Sequence, residues 1–231
     1  MNRARTNEFA RITALGACLI GSFVITAASV AYFNGDELPS FMVEKLPLPH
    51  EELWLFALRA HVFSAALALP ICVLLMSKNL LRRASRLHRW MGRVIGMVIL
   101  LALVPSGLYL SLFAKGGVPS TIGFALSGAI VFVAMVQGIR AARRHDLVAH
   151  RRAMLHVLAQ LSVAVTSRTL LVLCDAVGVD AEVAYLVSLW LPVLCSVAFV
   201  ERIHAYQRRS HESVQLDPSS RHTFFAGVAR D

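Results

Sequence analysis

Charge is scarce in this sequence: Asp, Glu, Lys and Arg make up 16 % of its 231 residues, against about 25 % in a soluble domain. Cysteine is scarcer still. The four present, Cys18, Cys72, Cys174 and Cys195, form no C-x-x-C pair and all fall in apolar stretches. That pattern excludes a disulfide framework and a zinc knuckle and leaves the thiols as small apolar fillers. There is no G-x-x-x-x-G-K-[ST] loop, no G-x-S-x-G elbow and no H-E-x-x-H pair, so nucleotide-cradling, serine-hydrolase and zincin chemistries lose their motifs. No stretch is suited to a soluble nucleotide-holding domain. The paired broken helices of secondary transporters are missing too, beyond Pro70 and Pro105.

What is abundant is apolar residue, 57 % of the chain, and it comes in blocks. Residues 12–34, 60–77, 94–114, 118–139 and 183–200 hold no Asp, Glu, Lys or Arg, and 153–174 is interrupted only by His156 and Arg168. A helix rising ~1.5 Å per residue needs about 20 such residues to cross a hydrocarbon layer. The reading is an all-α integral membrane bundle of six transmembrane helices, at about 12–33, 53–76, 88–113, 118–139, 150–174 and 181–205. Residues 1–207 form one membrane domain and 208–231 a mobile cytoplasmic tail. Short connections set consecutive helices side by side and antiparallel. The exception is the 34–52 loop with Pro39, Pro47 and Pro49. Pro70 and Pro105 should kink their helices. Gly92 and Gly96 offer a small-x-x-x-small packing face, as do Ser64, Ala65, Ala68 and Cys72.

The net charge of +9 would suggest nucleic acid in a soluble protein, but its distribution argues for topology. Residues 78–93 carry Lys78, Arg82, Arg83, Arg86, Arg89 and Arg93 without an acid, and 140–152 carry five arginines against Asp146. Arg3, Arg5, Arg11, Arg202, Arg208 and Arg209 fall on the same side if six spans alternate. Asp36, Glu37, Glu44, Glu51, Glu52, Asp175, Asp180 and Glu182 fall on the other. This is the positive-inside pattern, so both termini are expected in the cytoplasm, with anionic lipid as a partner and no nucleic acid. The first span, long for a signal core, is read as an uncleaved helix.

Histidines stand among arginines at the mouths of two spans. His88 and His150 lie at depths differing by ~4–5 Å at helical rise, and His156 lies roughly 13 Å deeper than His88. Neutral imidazole suits haem iron and shuttles protons near neutral pH. His88 with His150 is the better-matched axial pair, with the surrounding arginines able to hold propionates. His156 shares a helical stripe with Gln160, Val163 and Ser167, a polar line suited to a quinone pocket or a proton path. The plainer account has His88 and His150 reaching toward headgroups and His156 bonded to a neighbouring backbone. At the other side stand Arg59, His61 and Arg168. An unpaired arginine inside a span costs several kcal/mol. Arg168 is therefore expected either to bridge to Asp175, Glu51 or Glu52, or to join Arg59 and His61 in a site for an anion or a quinone headgroup.

These residues carry a resemblance. His61, then "LHRWMGR" at 87–93, "GLYLSLFAKGG", "GF" at Gly123 and Phe124, "AHRRAML" at 149–155 and Arg168 in "TSRTLL" resemble, in order and spacing, a family of predicted bacterial integral membrane proteins catalogued as a domain of unknown function. The resemblance spans about residues 57–175 and implies a multi-pass protein of the bacterial cytoplasmic membrane, with no activity attached. A more local likeness, at His88 and Trp90 to Gly92, is to transmembrane b-type cytochromes, whose "LHSW-x-G"-like motifs carry a haem-ligating histidine. That type uses two histidine pairs on facing helices, whereas the fourth span here has no histidine, so one haem is the most this likeness implies.

Two functions are therefore expected. One is a redox component, b-haem or quinone-handling, using His88 with His150 or His156. The other is a non-enzymatic membrane protein: an accessory subunit to another membrane protein, a small-solute carrier or a lipid-interacting scaffold.

Overall fold

The computed structural model describes residues 3–33, 48 and 50–216. Seven helices occur among them: α1 (Arg3–Ala28, followed by a 3₁₀ turn at Ser29–Phe33), α2 (Glu51–Leu75), α3 (Lys78–Arg83), α4 (Ser85–Ser111), α5 (Gly117–Arg143), α6 (Leu147–Ala176) and α7 (Ala181–Leu216). Five of these, α2 and α4 to α7, are long and apolar enough to cross a membrane. The apolar part of α1, Ile12–Ala28, is shorter. No strand occurs among the described residues. In hydrocarbon no water is at hand for backbone groups, so a chain this apolar satisfies them within helices.

Each end of α6 is set by local chemistry. Asp146 caps its start, accepting the Ala149 N–H at 2.9 Å on Oδ1, next to His145 in a left-handed conformation (φ 58°). It stops where Gly178 takes φ 75°, a conformation that costs glycine little. Helix α6 is the hub of the bundle: it packs along α5 and α7 and also reaches α1 and α2. Leu69 and Val73 of α2, Ile95, Ile99 and Leu103 of α4, Val131 and Met135 of α5, and Val157 of α6 form one buried core. Only 28 % of the apolar window of α5, α6 or α7 is buried inside the bundle. Phe63, Leu101, Phe132, Val172 and Leu194 are among the many large apolar residues that point outward, as helices surrounded by lipid require.

The helices outrun several expected boundaries. The connection expected at 77–87 contains a short helix, α3, because "KNLLRR" has good helix formers and no breaker. Helix α7 continues to Leu216, through residues 208–216 assigned above to the tail; residues 217–231 and the loop at 34–47 lie outside the described residues. The kink expected at Pro105 takes the form of a π turn at Ile99–Leu103. Proline has no N–H to give the carbonyl one turn back, and a shift to wider bonding, with Val104 N–H on the Ile99 carbonyl, absorbs the break.

Of the two expected packing faces, that of α2 is buried at Ser64, Ala68 and Cys72, while that of α4 differs. A Cβ on Gly92 would meet nothing within 4 Å, and one on Gly96 only ordinary contacts at 3.7 Å. The close approaches lie elsewhere. A Cβ on Gly21 would sit 2.4 Å from Val165, one on Gly107 2.9 Å from the His61 ring, and one on Gly123 2.8 Å from Leu189. Those glycines join α1 to α6, α2 to α4 and α5 to α7.

Candidate functional site

Four groups of polar side chains interrupt the apolar interior, and the helix pairing decides which of them meet. The first lies between α2 and α4. His61 Nδ1 donates to the Leu103 carbonyl at 3.2 Å and lies 3.4 Å from Ser106 Oγ. Because a carbonyl only accepts, Nδ1 must carry the proton. Ser106 in turn donates to the Ala102 carbonyl at 2.5 Å. The ring, partly buried, is thus spent on the irregular backbone of α4 at the π turn. Arg168 is within electrostatic reach of it, but its guanidinium Nη1 donates to the Ala164 carbonyl of its own helix at 2.9 Å. Among the described residues no carboxylate pairs with Arg168. Asp175, offered by spacing, is exposed near the end of α6. Arg59 is exposed on the same helix as His61.

The second group is the pair chosen by depth. His88 and His150 come within electrostatic reach of one another. His150 Nδ1 donates to the Gly138 carbonyl of α5 at 2.9 Å, which fixes its tautomer and leaves Nε2 as a lone pair. His88 Nδ1 is buried and has no hydrogen-bond partner.

The third group sits one turn deeper than Arg152 on α6. His156 Nε2 bonds Glu201 Oε1 of α7 at 2.8 Å, and Arg152 Nη2 bonds Glu201 Oε2. Glu201 and Arg152 face outward by nearly half of their side-chain surface, whereas His156 is 15 % exposed. The plainer expectation for His156, a bond to neighbouring backbone, gives way here to a carboxylate. Two clefts meet at this clasp. One, about 330 Å³, is apolar, lined by Ala129, Ile130, Val133, Ala134 and Val197 together with Gln137 and His156. The other, about 580 Å³, is lined by Asp146, Arg152, Glu201 and His204 and again by Gln137 and His156. Both volumes fall in the range of about 300–1,000 Å³ usual for small-ligand pockets. The Gln137 amide has no hydrogen-bond partner among the described residues.

Gln160, one turn further on, makes the fourth group. It is 3 % exposed. Ser127 of α5 donates to its Oε1 at 2.9 Å, while its Nε2 donates to the Val193 carbonyl at 3.2 Å and to Ser196 Oγ at 2.8 Å, both on α7. Both N–H groups of the amide are donated, so Gln160 ties three helices together and is no free donor for a ligand.

The sequence reading missed Gln137, Glu201 and His204. Glu201 had a signal: it is the one acid in a basic stretch, three residues before His204 on the same helix face. Gln137 lay in a run read only as uncharged. No group of three or more His, Cys, Asp or Glu residues able to hold a metal ion occurs among the described residues.

A family model described as "Predicted membrane protein (DUF2306)" matches residues 58–203, well over half of the chain. The chain belongs to the DUF2306 family. The DUF2306 segment begins inside α2 and ends inside α7, so it contains the polar groups described above except His204, and leaves out α1. No curated protein and no solved structure matches the chain.

Proposed function

We propose that this DUF2306 protein is a six-helix protein of the bacterial cytoplasmic membrane, with both termini inside, that binds a quinone in the cleft between α5, α6 and α7. The observation that carries the reading is the position of His156: it lines both clefts, apolar on one side and polar on the other, and is hydrogen-bonded to Glu201. A quinone has the same two-part chemistry. Its isoprenoid tail and ring suit the apolar cleft and its carbonyl oxygens need N–H donors. The Gln137 amide supplies one at the junction, and the His156 ring, whose Nε2–H is held by Glu201, supplies another from Nδ1 when it is protonated. Glu201, half outside the bundle and joined to Arg152, is placed to pass protons between water and the imidazole. The arginine-rich end of the bundle supplies the orientation.

A short-chain quinone titrated into the protein in lipid nanodiscs, with isothermal calorimetry as readout, tests this. Saturable binding is expected. Gln137→Leu, His156→Leu and Glu201→Gln should each weaken it by about tenfold, the worth of one buried hydrogen bond to a ligand. Absence of saturable binding, or unchanged affinity in all three variants, overturns the reading.

A second reading rests on different atoms. His150 anchored through Nδ1 with Nε2 open, beside a His88 whose buried Nδ1 lacks a partner, has the donor chemistry of an axial pair for one b-type haem. The many arginines near this end suit haem propionates, and such a haem would supply one-electron transfer. Neither of the two clefts touches His88 or His150, which is why this reading stands second. It predicts a Soret band in protein purified from haem-supplemented cells, lost in His88→Ala and in His150→Ala. Colourless, iron-free protein would remove it.

A further inference from the structure

The first turns of α4 carry a feature that the quinone reading does not use. Residues 86, 89, 90, 93 and 97 fall within roughly 100° of one face of α4 at 3.6 residues per turn, and Leu101 lies beyond them in the π turn. Arg86, Arg89 and Arg93 are exposed. So are Trp90, at 63 %, and beyond them Met97 and Leu101, at 56 % and 76 %. None of the three arginines has a carboxylate partner among the described residues. The stripe is cationic for its first two turns, carries an indole in their midst, and is wholly apolar thereafter.

We propose that this stripe is a binding site for an acidic glycerophospholipid, with phosphatidylglycerol as the type. The order of residues along the helix matches the order of groups along such a lipid. Arg93 directly precedes the apolar run, so it stands at the level of the phosphodiester. Arg89 and Arg86 lie about 6 and 10 Å further out at helical rise, beside the glycerol headgroup. Trp90 has the amphipathic ring favoured at the membrane interface, and Met97 and Leu101 offer a surface to the acyl chain. Guanidinium groups pair with phosphate oxygens two at a time. Three unpartnered guanidiniums on one face lack an anion that a zwitterionic bilayer supplies poorly and an acidic lipid supplies well. Charge complementarity, rather than apolar area, decides the occupant. The site is independent of the quinone cleft, which lies between α5, α6 and α7.

Trp90 provides the measurement. The purified full chain is reconstituted into nanodiscs containing brominated-acyl phosphatidylglycerol or, in equal proportion, brominated-acyl phosphatidylcholine, and tryptophan quenching is compared. Quenching by the acidic lipid should exceed that by the neutral one, with a relative affinity at least about fivefold higher, the factor one arginine near an anionic surface supplies. Trp90→Phe should abolish the excess. The triple variant Arg86→Gln/Arg89→Gln/Arg93→Gln should also abolish it, while Arg140→Gln/Arg143→Gln/Arg144→Gln, at the same end of the bundle, should leave it. Equal quenching by both lipids overturns the proposal. Loss of the excess in the second triple variant overturns it as well, because general charge attraction then suffices. Should the first triple variant fail to fold, the comparison of wild type with Trp90→Phe still decides.

Discussion

Gln160→Leu should lower the unfolding free energy of the protein by about 2 kcal/mol in a mixed-micelle titration. Hydrogen bonds between membrane helices average about 0.6 kcal/mol and reach about 1.7, and Gln160 makes three, to Ser127, the Val193 carbonyl and Ser196. Leucine keeps most of the volume, so the loss reports on polar ties rather than on a void. Two of the bonds cross from α6 to α7 and one from α5 to α6, so the effect should be cooperative. In the background of Gln160→Leu, Ser127→Ala should cost little further, because its partner is already gone. An unchanged midpoint in Gln160→Leu would show that the amide is not the tie described here. The same variant bears on the proposed cleft: Gln160 lines neither cavity, so quinone affinity in the folded variant should be kept.

The second large effect is expected where α2 crosses α4. Gly107→Ala should destabilise the protein by about 1–3 kcal/mol, the usual cost of overpacking. The new methyl group would lie 2.9 Å from Cε1 and 3.1 Å from Nδ1 of the His61 ring. An imidazole held at Nδ1 by the Leu103 carbonyl cannot swing away without giving up that bond. The ring is thus a wall rather than a flexible tip. His61→Ala removes the wall. In that background Gly107→Ala should cost nothing or even gain slightly from helix propensity, a strong coupling in a double-mutant cycle. Additive effects of the two substitutions would mean that the ring and the glycine do not meet.

These expectations show where sequence and structure part. The apolar runs announced the five long helices directly, because a hydrocarbon-spanning helix leaves an unbroken signature about 20 residues long. His88 and His150, named together from the sequence, lie within electrostatic reach of one another. What depends on rotation about a helix axis was legible only in part: Ser64, Ala68 and Cys72 of α2 and Gln160 of α6 do turn inward, whereas other positions do not. Gly92 and Gly96 had the spacing of a packing face, yet Gly92 faces open space, while Gly107 and Gly123 make the close contacts. A membrane helix is apolar all round, so no periodicity marks its inner face. Arg168 was given a carboxylate by the same reasoning and takes a carbonyl on its own helix instead. Glu201 escaped notice because its partner, His156, is far away in sequence and becomes a neighbour only when α6 and α7 pair.

The central position of α6 bears on how the chain is built. Helices leave the ribosome in order, and α6 follows α1, α2, α4 and α5, yet it contacts three of these as well as α7. Until it inserts, the Gly138 carbonyl waits for the His150 ring and the Ser127 hydroxyl for the Gln160 amide. A nascent chain cut short before residue 147 therefore lacks the helix against which α1, α2 and α5 all pack, the kind of intermediate that membrane quality control removes. Completion of the protein is a late event, decided by the arrival of one helix.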